Sequence, residues 1–296
     1  VVEVGRDHLR AEVVGVERLS PRVVRITFGG PELAGFGGGG APDEWFRLVV
    51  PPSTGRGGAA EPDGVDPRRR AEEVGRWYTV RRWDADAALL TVDLVLHGRG
   101  VAASWAGSAA VGDTAWVGQP RGAYVPPPPG VPVVLAGDLT SLPALTRIVA
   151  SLPGTTPTRV LVEVGGADDE QPLDGPADLE VSWLRNPRFG RAESLLPAAL
   201  RELLPGRSDP RTCRYWMAGE ATAARLVRHH LRHELRVPDG HHHAVGYWRL
   251  DGEEWNRRFA ESGIDIGAIW NAGQRTGRTQ EEIVDDIHAR LVEAGL

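Results

Sequence analysis

The stretch VPPPPGVPVVLAGDLTSLPALTRIVA, residues 125–150, separates two halves of different rhythm. Pro126–Pro129 is a stiff, helix-free connector. Val133–Ala136 is a short apolar run ending in Gly137-Asp138, and a helical pattern opens at Thr140 or Ser141 with Pro143 in its first turn. Downstream the spacing predicts strands over Val160–Val164, Val181–Leu184, Tyr215–Ala218 and Val245–Arg249, and helices over Glu193–Leu204 and Glu220–Leu235. Strand alternating with helix argues for a parallel sheet. Upstream, the pattern has a period of two. Val24, Ile26 and Phe28 alternate with Arg25 and Thr27, and Phe46, Leu48 and Val50 do the same around Arg47. Arg76–Arg81, Leu89–His97 and Thr114–Val117 add short strands, punctuated by loops at 37–40 and 53–75, and the series suggests a small barrel. The expected class is β plus α/β: a β-barrel over 1–128, an α/β domain over 129–250 and a helical extension over 251–296. In the extension Thr279 and Glu282 form a capping box, Ile283, Ile287 and Leu291 share one face, and Gly295 stops the helix.

Composition narrows the chemistry. At 296 residues the prior is two domains, and 41% hydrophobic with 25% charged residues is ordinary for a globular chain. The net charge of −6 recommends neither nucleic acid nor an acidic membrane. All 34 basic residues are arginine, which removes Schiff-base catalysis, pyridoxal-phosphate anchoring and any P-loop. Cys213 is the single cysteine, so an iron–sulfur cluster, a Cys-rich zinc site and an internal disulfide are all excluded. A reduced, cytoplasmic setting is expected. No apolar run approaches the roughly 20 residues of a spanning helix, and no signal-peptide pattern opens the chain.

Two short motifs carry chemistry. Gly98-Arg99-Gly100-Val101-Ala102-Ala103 fits G-x-G-x-x-A, but the acidic residue that a dinucleotide fold needs about 20 residues later is absent; Arg121 and Tyr124 occupy that region. A glycine turn before a short helix (Ala102–Ala109) still aims backbone N–H groups at a phosphate, though a plain strand–turn–helix has the same pattern. Arg76-x-Tyr78-Thr79 combines a cation for a diphosphate, a ring for stacking and a hydroxyl for a ring nitrogen. By itself it also fits an amphipathic strand.

In order along the chain, Arg76-Trp77-Tyr78-Thr79-Val80-Arg81, His97-Gly98-x-Gly100-x-Ala102-x-Ser104-Trp105 and Pro120-Arg121-Gly122 resemble the FAD domain of siderophore-interacting proteins. Gly137-Asp138-x-Thr140-x-Leu142-Pro143-Ala144, Trp216-x-Ala218-Gly219-Glu220 and Gly246-Tyr247-Trp248-Arg249 resemble the same family's second domain. The resemblance covers most of residues 10–250. It implies the ferredoxin–NADP reductase architecture, an antiparallel Greek-key barrel for FAD followed by a nicotinamide-binding α/β domain, and a cytoplasmic ferric-siderophore reductase using NADH or NADPH. Leu139 departs from the family, which often has Glu there, and the extension beyond Arg249 is not covered.

Carried over residue by residue, the resemblance implies that Arg76, Tyr78 and Thr79 contact the flavin diphosphate and ring. Leu96, His97 and Gly100 lie along the cofactor, and Ala102, Ala103 and Ser104 hold the pyrophosphate. Asp138 and Thr140 sit near the flavin–nicotinamide junction and are assigned with Thr79 to catalysis. Gly219 and Glu220 close the nicotinamide side, and Trp248 covers the flavin. Reduction of Fe(III) loosens its hard oxygen donors, and flavin divides a hydride into the single electrons iron takes. An acidic protein needs a local cationic patch to admit an anionic ferric complex; Arg47, Arg121 and Arg249 are the candidates, with structural ion pairs the alternative. No resident metal is expected. His241-His242-His243 reads as an exposed loop, Asp285-Asp286 with His288 as a solvated helix face, and Cys213 as buried and inert. Two rival functions stay open: a flavin reductase serving a protein such as an oxygenase, and a siderophore carrier without turnover.

Overall fold

The computed structural model describes residues 8–38, 40–51, 75–96, 101–204 and 209–296. Seven strands, β1 (His8–Ser20), β2 (Val23–Gly29), β3 (Trp45–Val49), β4 (Arg76–Thr79), β5 (Arg82–Asp84), β6 (Leu89–Val95) and β7 (Thr114–Gly118), form one antiparallel sheet in the order β4-β3-β7-β1-β2-β6-β5. Its two edge strands, β4 and β5, are joined by only Val80 and Arg81. Opposite edges of a flat seven-stranded sheet would lie roughly 29 Å apart, which two residues cannot bridge. The sheet therefore rolls into a barrel, and the Arg81 N–H donates to the Thr91 carbonyl on β6 at 2.9 Å across the closure. Val13, Ile26, Phe28, Phe46, Leu90 and Val117 fill the interior. Helix α1 (Val101–Ser108) caps it with Trp105 stacked on Phe28, ring centroids 6.3 Å apart.

Strand β1 has no counterpart in the sequence reading. A register shift between Val13 and Gly15 breaks its alternation, leaving Val13 in the core while Val14 and Val16 face solvent.

The second sheet is all parallel: β8 (Val133–Asp138), β9 (Thr158–Val164), β10 (Leu179–Arg185), β11 (Arg214–Glu220) and β12 (His242–Trp248), in the order β10-β9-β8-β11-β12. Strand β8 is apolar without alternation because both faces are covered. Val133 and Leu135 pack against α2 (Leu142–Ser151), whereas Val134 and Ala136 meet α3 (Leu196–Leu203) and α4 (Ala221–His229). The chain runs outward from β8 through β9 and β10, then returns to add β11 and β12 on the other side. The topological switch point therefore lies between the carboxyl ends of β8 and β11, where open α/β sheets bind their ligands.

Three contacts seat the barrel on this sheet. Val23 of β2 joins the apolar cluster around Leu135 and Leu145. Asp169, fully buried, accepts from Ser20 Oγ at 2.6 Å and Arg22 at 3.2 Å. Arg147 of α2 donates to the Val80 carbonyl at 2.7 Å and to Glu44 at 3.1 Å.

Residues 252–293 form α5 (Gly252–Ser262), α6 (Ile266–Arg275) and α7 (Gln280–Glu293) around Ile283, Ile287 and Leu291, and the Thr279–Glu282 capping box closes as read. Asp285 is not a solvated helix face. It pairs with Arg228 at 2.5 Å and Arg232 at 2.7 Å, clamping α7 to the sheet domain, while Asp286 pairs with Arg278 and Arg290. Nor is the triple histidine a loop: His242 and His243 begin β12, and His242 is buried. Cys213 is buried as expected. No helix among the described residues is long and apolar enough to cross a membrane, and no group of three or more His, Cys, Asp or Glu among them could hold a metal ion.

Candidate cofactor and substrate cleft

A cleft of about 640 Å³ opens between the barrel and the carboxyl end of the parallel sheet. Strands β3 and β4 supply Trp45 and Arg76–Thr79, and α1 supplies Val101–Ala103 from its first turn. The sheet domain supplies Thr140, His243 and the run Val245–Arg249. Two domains that fold around separate cores thus build one site, of a size typical for a cofactor.

The barrel wall suits a dinucleotide. Arg76 gives one donor to the Gly75 carbonyl at 3.2 Å, and its fork carries further N–H groups for an anion. The first N–H groups of α1 have no acceptor within their own helix. Tyr78 is pushed up to about 12 by burial, opposed by the neighbouring Arg76 cation, so its ring stays neutral beside an apolar surface from Val95 and Val101. Thr79 is buried and faces Tyr247 of the opposite wall, both lining the cleft. Cation, free amides and flat apolar surface in one groove match the diphosphate and ring system of FAD.

The opposite wall is organised from below by Asp138, at 1% exposure. One oxygen accepts from the Thr140 amide at 2.9 Å and its hydroxyl at 2.6 Å. The other accepts from the Glu220 amide at 2.9 Å and the Trp248 indole at 2.7 Å. Asp138 thereby ties β8, the start of α2, β11 and β12 together at the switch point. Burial raises its pKa to about 6, offset in part by Thr140 and Trp248. Gly219 is required beside it, because a Cβ there would lie 2.5 Å from the carboxylate. Glu220 in turn caps α4 through the Ala223 amide at 2.9 Å and accepts from Leu250 at 3.3 Å. Phe189 packs on the far side of Trp248, centroids 5.8 Å apart.

Of the residues singled out from sequence, Arg76, Tyr78, Thr79, Ala102, Ala103, Thr140, Trp248 and Arg249 line the cleft. Asp138, Gly219 and Glu220 lie beneath its wall. Leu96 packs on the barrel core and donates to the Arg22 carbonyl at 2.7 Å, and Ser104 is exposed on α1; neither lines the cleft. His97 and Gly100 fall outside the described residues. Arg47 and Arg121 do not line the cleft, although each is tied to a residue that does. Arg47 pairs in register with Trp77 and sits 5.7 Å from its ring, and Arg121 forms two 2.8 Å backbone bonds with Trp45. Asp43, Trp45, Tyr247 and His243 were missed. Asp43 fixes the interdomain linker by accepting from the Ala123 and Tyr124 amides at 3.0 and 2.9 Å, which no local pattern announces. Tyr247 had a signal: it follows Val245 by two at the carboxyl end of a parallel strand.

A barrel with a dinucleotide-sized groove, set against the carboxyl ends of a parallel sheet at its switch point, defines a two-domain flavoprotein. Residues 12–124 match the model of the siderophore-interacting FAD-binding domain, and residues 132–251 match that of the siderophore-interacting protein. The chain belongs to the siderophore-interacting protein family, and FAD is its cofactor. An uncharacterised protein of Mycobacterium tuberculosis is 32% identical over 280 residues, covering 87% of this chain and 98% of that one. The ferric vibriobactin reductase ViuB of Vibrio cholerae is 30% identical over 183 residues, 61% of this chain and 66% of ViuB. A siderophore utilization protein from T. fusca superposes with a TM-score of 0.66 at 31% identity, covering 82% of this chain and 93% of that structure.

Proposed function

We propose that this chain is an FAD-dependent ferric-siderophore reductase driven by NADH or NADPH. The observation that carries the reading is the shared cleft: the barrel wall suits FAD, and the facing wall is the ligand-binding end of a parallel α/β sheet. Kinship with a ferric vibriobactin reductase supports the substrate. Held in this cleft, FAD would supply the conversion of a two-electron donor into single-electron delivery that reduction of Fe(III) requires.

The chain's own residues bind and orient. Arg76 and the amides of Ala102, Ala103 and Ser104 would hold the pyrophosphate. Tyr78 would pack against the ring system, and Thr79 would offer its hydroxyl to a ring nitrogen. Thr140, fixed by Asp138, stands at the junction where the nicotinamide arrives, and Trp248, held by the same carboxylate, covers the ring. Gly219 and Glu220 shape the nicotinamide side. Arg47, Arg121 and Arg249 attract the anionic ferric complex to the mouth. In this division of labour residues 1–128 hold FAD, 129–250 receive the nucleotide, and 251–296 extend the second unit. The setting is the cytoplasm.

Anaerobic titration with NADH and with NADPH, followed by trapping of Fe(II) with a chromogenic chelator, tests the reading. Flavin bleaching with Fe(II) release from a ferric siderophore supports it. Bleaching with turnover only on a protein acceptor would assign a flavin reductase serving a partner, and no bleaching would leave a siderophore carrier.

A further inference from the structure

Arg249 reaches the cleft from the sheet domain, and the residue that fixes its direction lies beyond the span of either family match. After β12 ends at Trp248, Asp251 adopts a left-handed backbone with φ of 52°, a conformation Asp tolerates better than most residues. This turns the chain into α5, where the Trp255 N–H donates to the Asp251 carbonyl at 3.0 Å. The reversal lays the Trp255 ring against the Arg249 guanidinium, 4.1 Å from centroid to carbon. Arg249 forms no ion pair among the described residues, and burial lowers its pKa, with Glu220 acting in the opposite sense. Trp255 is itself immobilised: it stacks on Phe259 with centroids 5.0 Å apart and packs into the cluster of Ile283, Ile287 and Leu291. The clamp of Arg228 on Glu281 and Asp285 fixes that cluster to the sheet domain.

A carboxylate partner would occupy the edge of a guanidinium and cancel its charge. An indole engages only the face, leaving the in-plane N–H donors and the full charge available. We propose that Trp255 is a positioning residue, through which the helical extension holds Arg249 edge-on to an anionic ferric complex entering the cleft. The inference rests on the reading of the cleft as the site for that complex, and it gives residues 252–293 a part in substrate recognition.

The test uses the full-length, FAD-loaded protein with Trp255→Leu, Trp255→Phe, Arg249→Ala and the Trp255→Leu/Arg249→Ala double variant. A gallium(III) tris-catecholate, a redox-inert counterpart of the ferric complex, serves as the calorimetric probe, and KM and kcat are measured with the ferric form. Trp255→Leu should raise the gallium-complex Kd and the KM about three- to tenfold. The kcat, the flavin-to-protein ratio and the rate of flavin bleaching by the nicotinamide should stay at parental values. Trp255→Phe should restore binding to within about twofold, and the double variant should bind no worse than Arg249→Ala alone. If Trp255→Leu loses helicity, Trp255→Met keeps the bulk of the cluster without the aromatic face and must show the same loss. Parental binding by Trp255→Leu or Trp255→Met beside impaired Arg249→Ala would overturn the brace and leave the cleft reading standing. Parental binding by Arg249→Ala as well would overturn that reading itself.

Discussion

Replacing Arg147 by Met tests whether one side chain sets the spacing of the two walls. Arg147 leaves α2, four residues beyond Pro143, and reaches the barrel just after Thr79, donating to the Val80 carbonyl at 2.7 Å and to Glu44 at 3.1 Å. The Glu44 side chain is 4% exposed and that of Arg147 is 18% exposed, so the pair is largely withdrawn from water. Methionine keeps most of the length and removes the cation paired with a buried carboxylate, which costs about 3–5 kcal/mol. Glu44→Gln alone should cost less, about 1–2 kcal/mol, because Arg147 retains the Val80 carbonyl. The double variant should fall near the Gln value rather than near the sum, giving a coupling of about 3–5 kcal/mol. Urea denaturation of the four proteins measures all terms, and the flavin-to-protein ratio after dialysis reports on the cleft. Destabilisation by Arg147→Met below 1 kcal/mol, or simple additivity, would refute the strut. An intact coupling with unchanged flavin retention would refute its link to the cleft.

Acidity should reveal the Asp138 hub. Its folded pKa, raised from 3.8 to about 6 chiefly by burial, lies above the unfolded value, so its contribution to stability is greatest below pH 4 and is lost as pH rises through 6. Between pH 4 and 7 the parent should therefore lose about 2.4 kcal/mol of unfolding free energy relative to Asp138→Asn; parallel pH profiles would show that the carboxylate titrates as it does in the unfolded chain. Arg76→Ala should weaken flavin retention by an amount on the order of 1.5–3 kcal/mol, the value of a charge-assisted partner to the diphosphate. An unchanged flavin-to-protein absorbance ratio after dialysis would remove Arg76 from the cofactor site.

How far the sequence foretold this molecule depended on whether a feature was periodic. The run Val133–Ala136 is legible because a doubly covered parallel strand is apolar throughout, and the capping box at Thr279 because both partners lie within four residues. Strand β1 is illegible for the opposite reason: its register shift exposes Val14 and Val16, so no alternation survives to be read. Asp285 looked solvated because its partners, Arg228 and Arg232, are more than fifty residues away. Asp43 and Trp45 belong to a wall whose existence depends on how two domains dock, and no local pattern records that. The motif residues around 76–79 and 137–140 fared differently, since each sits where a strand end must face the cleft.

The two glycine-bearing motifs show why position in the fold, not the motif, decides the role. Gly98-x-Gly100 has the spacing of a dinucleotide fingerprint but precedes α1, which caps an antiparallel barrel and offers only its own amides. Gly137-Asp138 has no such fingerprint and stands at the switch point, where β8 and β11 diverge and a groove must open. There the acidic side chain does not point into the groove to grip a ligand. It is turned down and saturated by four donors, so its work is to hold Thr140 and Trp248 at fixed places on the wall. Gly219 supports the same arrangement from β11 by leaving room for the carboxylate. A buried acid at the carboxyl edge of a parallel sheet acts here as the joint between strands, and the cleft chemistry falls to the residues it positions.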